Sequence, residues 1–174
     1  MKYLIDLIAL AFLYAFAFFR KWRNRGRDVL LVNTLIYLYL SFVLYFTLMP
    51  AIANIPFILD HPYKAMDLTP FGDVLARRGD FFRQVILNVI MTLPFGFLVP
   101  LTRNRTAGFV RTISLCFLMS LSIELLQPFF DRHSDITDLI TNTAGGVLGY
   151  GLYVLFRPVT FWVLDRLKTE KYRR

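Results

Sequence analysis

Cysteine is almost absent: Cys116 stands alone among 174 residues. One thiol can form neither an intramolecular disulfide nor a cysteine metal cluster. Histidine is nearly as scarce, with only His61 and His133, and both fall in connecting segments. No Ser-His-Asp or Cys-His pattern emerges, so nothing points to a covalent nucleophile. Internal repeats, low-complexity tracts and a shift of composition along the chain are lacking too, which leaves one domain, 1–174. What is present in excess is apolar: 56% of the residues are hydrophobic, 17% are aromatic, and the mean hydropathy is +0.51. A soluble domain of this length has a small core relative to its skin and does not use that much apolar surface. The excess also comes in long blocks. A bilayer is the simplest solvent for them.

A hydrocarbon core about 30 Å thick needs about 20 helical residues. Five segments qualify: 3–19, 29–49, 84–101, 112–130 and 136–156. The expected fold is therefore an all-α polytopic bundle of five transmembrane helices. The first block ends in Ala15-Phe16-Ala17, which mimics a signal-peptide cleavage site. Only Lys2 precedes it, however, whereas Arg20, Lys21, Arg23, Arg25 and Arg27 follow it. That order of charge holds the trailing loop in the cytoplasm and argues for a retained helix. Pro94, Gly96 and Pro100 interrupt the third block, which spanning helices tolerate when neighbours satisfy the freed backbone groups.

A net charge of +8 invites a nucleic-acid reading, but the position of the charge argues against it. Placing 20–28, 102–111 and the tail from 157 on the cytoplasmic side collects 14 of the 20 basic residues there. These include Arg103, Arg105, Arg111, Arg157, Arg166, Lys168, Lys171, Arg173 and Arg174. Lys2, Lys64, Arg77, Arg78, Arg83 and Arg132 remain outside. The bias predicts an amino terminus outside and a carboxy terminus inside. After Arg157, Pro158 suits a first helical turn, and Trp162 among Phe161, Val163 and Leu164 predicts a short interfacial helix. The long outer connection, 50–83, carries Ile52, Ile55, Phe57, Ile58 and Leu59, which belong on membrane or protein. Thr69-Pro70 reads as the start of a short helix extending to about Arg78.

Ionisable groups inside a spanning helix cost several kcal/mol unless paired or hydrated. With a rise of about 1.5 Å per residue, Asn88 lies about 6 Å below the outer boundary on the third helix. Glu124 on the fourth helix and Asn142 on the fifth both lie about 9 Å down, with Gln127 and Asp138 one turn nearer the surface. Asp6, near the outer end of the first helix, shares that level. Helical spacing places Glu124 and Gln127 on one face, and Asp135, Asp138 and Asn142 on another. The short turn 131–135 makes the fourth and fifth helices antiparallel neighbours and sets Arg132 and His133 above the cluster. Asn and Gln commonly tie spanning helices together, and Arg132 next to Asp135 or Asp138 is a reasonable rim ion pair. Glu124 is too deep to be an idle surface carboxylate. It needs a proton, an Arg132 partner, a cation or a polar ligand head. The candidate pocket is Asn88, Glu124, Gln127, Arg132, Asp135, Asp138 and Asn142.

These residues stand in a recognisable order. Asn88 is followed by Pro94-Phe95-Gly96, then Ile123-Glu124-Leu125-Leu126-Gln127, Arg132, Asp135-Ile136-Thr137-Asp138, Asn142, and the glycines 145, 146 and 149. Over about residues 30–157 the chain resembles the VanZ family, named for a teicoplanin-resistance protein. Asp67-Leu68-Thr69-Pro70-Phe71 is similar to the family's Asn-Leu-x-Pro-Phe, with Asp67 in place of the usual Asn. The resemblance implies a small multi-pass protein of the cell membrane, linked in some members to reduced susceptibility to teicoplanin and related lipoglycopeptides. It implies no known reaction. Gly145-x-x-x-Gly149 forms a small-residue stripe suited to close helix packing.

Three functions fit this sequence. One is a binding protein whose pocket, open to the outer leaflet, accepts a polar or cationic group of a membrane lipid, a cell-wall precursor or a lipoglycopeptide. Another is an intramembrane enzyme on a lipid-linked substrate, with Glu124 as acid or base, or with Glu124, Asp135 and Asp138 around Mg²⁺ or Ca²⁺. The third is a scaffold for another membrane protein, using the aromatic faces of the first two helices. No resident cofactor or metal and no nucleic-acid partner is expected. A transporter is disfavoured because the five helices show no inverted repeat.

Overall fold

The computed structural model describes residues 2–58, 60, 62–76, 79–102 and 108–168. Leu59, His61, Arg77, Arg78, Arg103, Arg105, Lys171, Arg173 and Arg174, all named above, lie outside the described residues. Five helices are long and apolar enough to cross a membrane. They are α1 (Lys2–Arg23), α2 (Arg27–Thr47), α3 (Phe81–Leu98), α4 (Phe109–Leu126) and α5 (Ile136–Leu167). Among the described residues there is no strand, only an isolated parallel bridge between Asp67 and Asp135.

Short links fix the chain's path. Asn24, Arg25 and Gly26 turn α1 into α2, and Gly26 takes φ 132°, which a side chain resists. α1 is only 6% buried across its apolar window, against 33% for the α3 span. Leu4, Ile8, Phe12 and Phe16 are exposed along it, which suits lipid rather than water. Two hydrogen bonds tie α1 to α2: Tyr14 Oη to Thr34 Oγ1 at 2.8 Å, and Tyr37 Oη donating to the Leu10 carbonyl at 2.6 Å. Around Tyr14–Phe19 the helix widens into a π-type stretch, where Tyr14, Phe18 and Trp22 cluster on Tyr37.

The tightest packing is α3 against α5, and glycine permits it. A Cβ on Gly149 would overlap the Leu93 carbonyl, and one on Gly145 would overlap Val89 and Thr92. Gly96 of α3 faces Gly146 and Tyr150 in return, and Gly146 also abuts Cys116 of α4. Helices with no side chain between them gain dispersion contacts that water-driven burial does not provide in lipid. Pro94 lies within α3, and the helix continues past it.

The carboxy-terminal region corrects one expectation. Residues after Arg157 are not a separate interfacial helix but the last turns of α5, which runs unbroken for 32 residues. Pro158 removes one hydrogen-bond donor without ending the helix, since its ring fits helical φ. At about 1.5 Å per residue α5 is about 48 Å long, well beyond the hydrocarbon core. Arg166 stacks over Trp162 at 3.8 Å, and Arg157 lies 5.4 Å from the Phe161 ring. In the outer connection, Ile52–Phe57 forms a 3₁₀ segment, and helix after Pro70 is confined to the single turn Gly72–Leu75.

The alternating path sorts the molecule into two ends. The start of α1, the connection from Leu48 to Asp80 and the turn 127–135 gather at one. The α1–α2 turn, the end of α3, the start of α4 and the end of α5 gather at the other, with Arg20, Lys21, Arg23, Arg25, Arg27 and Arg166.

Candidate functional site

The start of α5 organises the polar end. Asp135 has extended backbone (φ −136°, ψ 134°), and its Oδ1 accepts the Thr137 N–H at 2.7 Å, capping the helix. The connecting loop is laid across this cap like a strap. Asp67 N–H donates to the Ser134 carbonyl and Ile136 N–H donates to the Asp67 carbonyl, both at 2.9 Å. Phe71, held at φ 56°, donates its N–H to Thr137 Oγ1 at 2.9 Å. Lys64 pairs with Asp131 at 2.9 Å. Asp67 Oδ1 accepts the Thr69 N–H at 2.8 Å, and this bond holds its carboxyl below the usual carboxylate range. Asn offers the same acceptor to that turn, so Asp67 replaces it without changing the strap.

Beneath the cap, side chains from three helices meet. Glu124, only 2% exposed, turns Oε2 toward the Asp135 N–H at 3.1 Å. Gln127 lies one turn on. With its amide nitrogen facing inward, it donates to the same Oε2 at 3.1 Å and to the His133 carbonyl at 3.2 Å. From α3, Asn88 Nδ2 donates to Asp138 Oδ1 at 2.6 Å. One turn deeper, Thr92 Oγ1 donates to the Asn142 carbonyl at 2.7 Å, and Asn142 Nδ2 donates to Ser120 Oγ at 2.9 Å. Thr92 and Ser120 are fully buried. Sequence reasoning missed both, although each sits four residues from a residue it selected, on the same helical face. Asn142 Oδ1 is buried with no hydrogen-bond partner among the described residues, and the buried Ser134 hydroxyl lies against Glu124.

The charges in this nest are of one sign. Glu124, Asp135 and Asp138 lie near enough to repel one another. Among the described residues no Lys or Arg reaches ion-pair distance of Glu124 or Asp138. Nor do any three His, Cys, Asp or Glu side chains among them converge so as to hold a metal ion.

Two charged residues read from the sequence are placed elsewhere. Arg132 turns to α2, donating through Nη1 to the Phe46 carbonyl at 2.7 Å and to the Thr47 carbonyl. It satisfies the open carbonyls at the end of that helix, a position that favours a cation. Asp6 is 3% exposed and accepts the Ala51 and Ile52 N–H groups at 3.1 and 2.9 Å, pinning α1 to the 3₁₀ segment. His133 is exposed, and only its carbonyl joins the network.

A groove of about 540 Å³ runs between α2 and α3 beside the nest. Its walls are Phe42, Phe46, Leu87, Ile90 and Met91, and its polar lining is Thr47, Arg83, Asn88 and Gln127. Asn88 and Gln127 thus touch the groove on one side and the carboxylates of Asp138 and Glu124 on the other.

Residues 35–157 match the family described as VanZ/LLP1. The chain belongs to the VanZ/LLP1 family. Over 127 residues it is 35% identical to Protein VanZ of Enterococcus faecium, covering 72% of this chain and 75% of that protein. No solved structure matches. Five apolar helices together with this membership make the chain a VanZ-like, multi-pass membrane protein.

Proposed function

We propose that the polar end of α3, α4 and α5 faces the extracytoplasmic side and binds the polar group of a membrane lipid, a cell-wall precursor or a lipoglycopeptide. In doing so the protein lowers susceptibility to teicoplanin and its relatives. The observation that carries this reading is the acid pair on separate helices, Glu124 buried and Asp138 half-buried, without a basic partner among the described residues. Buried carboxylates held only by neutral donors are costly, and a ligand with hydrogen-bond donors or positive charge relieves that cost. The unpartnered Asn142 side-chain oxygen adds further polar capacity at the same place.

The orientation is supported by the opposite end, where Arg20, Lys21, Arg23, Arg25 and Arg27 crowd one turn, as cytoplasmic loops do. Arg132 has no place in direct ligand contact in this reading. It braces α2 beside the site.

The test is expression of the full chain in a teicoplanin-susceptible host. Wild type raises the inhibitory concentration, and Glu124→Gln or Asp138→Asn, at equal membrane abundance, returns it to the vector level. Equal protection by all three proteins would end the proposal. A reporter fused at residue 65 that labels from outside, and one at 105 that does not, checks the orientation.

A further inference from the structure

The groove between α2 and α3 differs in one respect from a second large surface depression. A groove of about 570 Å³ over α4 and α5 has only Ser114 and Thr143 as polar lining. The α2–α3 groove is graded along its length. Arg83 lies near the start of α3 with its side chain 75% exposed, held only loosely by Asp80 at 3.9 Å. Leu87, Ile90 and Met91 follow on the same helix, reaching about 12 Å deeper by helical rise. Phe42 and Phe46 of α2 face them, 4.6 Å apart between centroids. Phe42, Phe46, Leu87 and Ile90 are all more than half exposed.

We propose that this groove seats an amine-bearing phospholipid. Its chain lies on Phe42, Phe46, Leu87 and Met91, its phosphate meets Arg83, and its ammonium reaches Glu124 and Asp138 between the side chains of Asn88 and Gln127. The inference rests on the functional reading above and names the ligand class for that site. Each part of the lipid answers a different chemistry. The guanidinium is suited to a phosphate, and an exposed one gives up its loose carboxylate contact at little cost. The two amides are neutral and each makes its hydrogen bond to a carboxylate, so a primary ammonium with three donors replaces both and adds the missing charge. The volume falls within the range of about 300–1,000 Å³ usual for ligand pockets. A phospholipid with a glycerol head satisfies the wall and Arg83 but leaves the acids as they were. A choline head brings charge without N–H donors.

The test uses the full chain in nanodiscs carrying traces of phospholipids with a diazirine on the acyl chain and an ethanolamine, choline or glycerol head. After irradiation, labelled peptides are mapped by mass spectrometry. The ethanolamine lipid is expected to label the Phe42–Phe46 and Leu87–Met91 peptides about fivefold more than the glycerol lipid, a ratio worth about 1 kcal/mol. Glu124→Gln with Asp138→Asn equalises the heads while labelling persists, and Met91→Trp lowers labelling by every lipid. Arg83→Gln, at an exposed site where folding is safe, cuts labelling by all three lipids about threefold. Equal labelling by the three heads in wild type overturns the proposal, as does labelling concentrated on Phe117 and Leu118 of α4. If the heads prove equivalent while Glu124→Gln still abolishes teicoplanin protection, the lipid assignment falls and the polar site stands. If Glu124→Gln changes neither protection nor head preference, the site itself falls.

Discussion

The α1 limb and the α3–α5 core each bury one carboxylate at the same end of the molecule, Asp6 and Glu124, to almost the same degree. Their surroundings differ. Asp6 receives two backbone N–H groups, from Ala51 and Ile52. Glu124 receives one backbone N–H and one amide, and it sits with Asp135 and Asp138 in an acidic nest. A carboxylate with two well-placed N–H donors is a structural clasp. One left among like charges raises the free energy of the fold, and chains retain such groups where binding uses them. Burial alone therefore does not mark a functional acid; the balance of its partners does.

The largest effect that separates core from limb is steric. Gly149→Leu inserts atoms into the Leu93 backbone of α3, and overpacking of that kind costs about 3 kcal/mol or more. Loss of monodisperse protein in detergent is expected. Gly151→Leu, with nothing within 4 Å of its Cβ position, leaves the melting curve unchanged. If both tolerate leucine, the α3–α5 contact is not what holds the core.

The next test is a double dissociation between the two carboxylates. Asp6→Asn keeps one acceptor of two and is expected to cost about 1–2 kcal/mol of stability while ligand binding and drug protection survive. Glu124→Gln keeps the shape and removes an uncompensated charge, so its melting temperature holds or rises while function is lost. A Glu124→Gln protein that is less stable yet fully active would reverse the comparison.

Arg132 sharpens the boundary between bracing and binding. Arg132→Ala frees the Phe46 and Thr47 carbonyls and is expected to lose about 1.5–3 kcal/mol, the usual worth of hydrogen bonds to a charged group. Arg132→Lys recovers part of it. A stable Arg132→Ala protein that has lost drug protection would instead make this residue a ligand contact.

The smallest effect lies in the strap. Asp67 has its carboxyl depressed by the Thr69 N–H, so it contributes stability above its unfolded pKa of about 3.9 and loses it as pH falls through the lower folded value. Protection factors for hydrogen exchange at the Asp67 and Thr69 amides, which remove the intrinsic pH dependence, should fall in that acid window. In Asp67→Asn, whose side chain cannot titrate, that fall in protection should be lost.

Much of this was legible before any coordinates. Apolar blocks gave five helices because lipid admits only long uninterrupted runs, and equal rise along each helix put Asn88, Glu124, Asp138 and Asn142 within about a turn or two of one level. The extent of α5 was not legible, since Pro158 fits a first helical turn as well as an interior position that lipid-embedded helices tolerate. The partner of Arg132 was also hidden. Three nearby acids made an ion pair the natural expectation, whereas the carbonyls of Phe46 and Thr47 lie 86 and 85 residues away in sequence. Thr92 and Ser120 carried a faint signal, their i,i+4 spacing to Asn88 and Glu124, but Ser and Thr are common in spanning helices and most satisfy their own backbone.

By itself, then, the sequence determined helix number, the polar level and the family, because hydropathy and helical rise act along one dimension. Only the tertiary structure decided which polar groups satisfy one another. That depends on side chains brought together from distant segments by the glycine contact of α3 with α5, and it leaves Asp6 clasped by backbone N–H groups and Glu124 held by neutral donors among other acids.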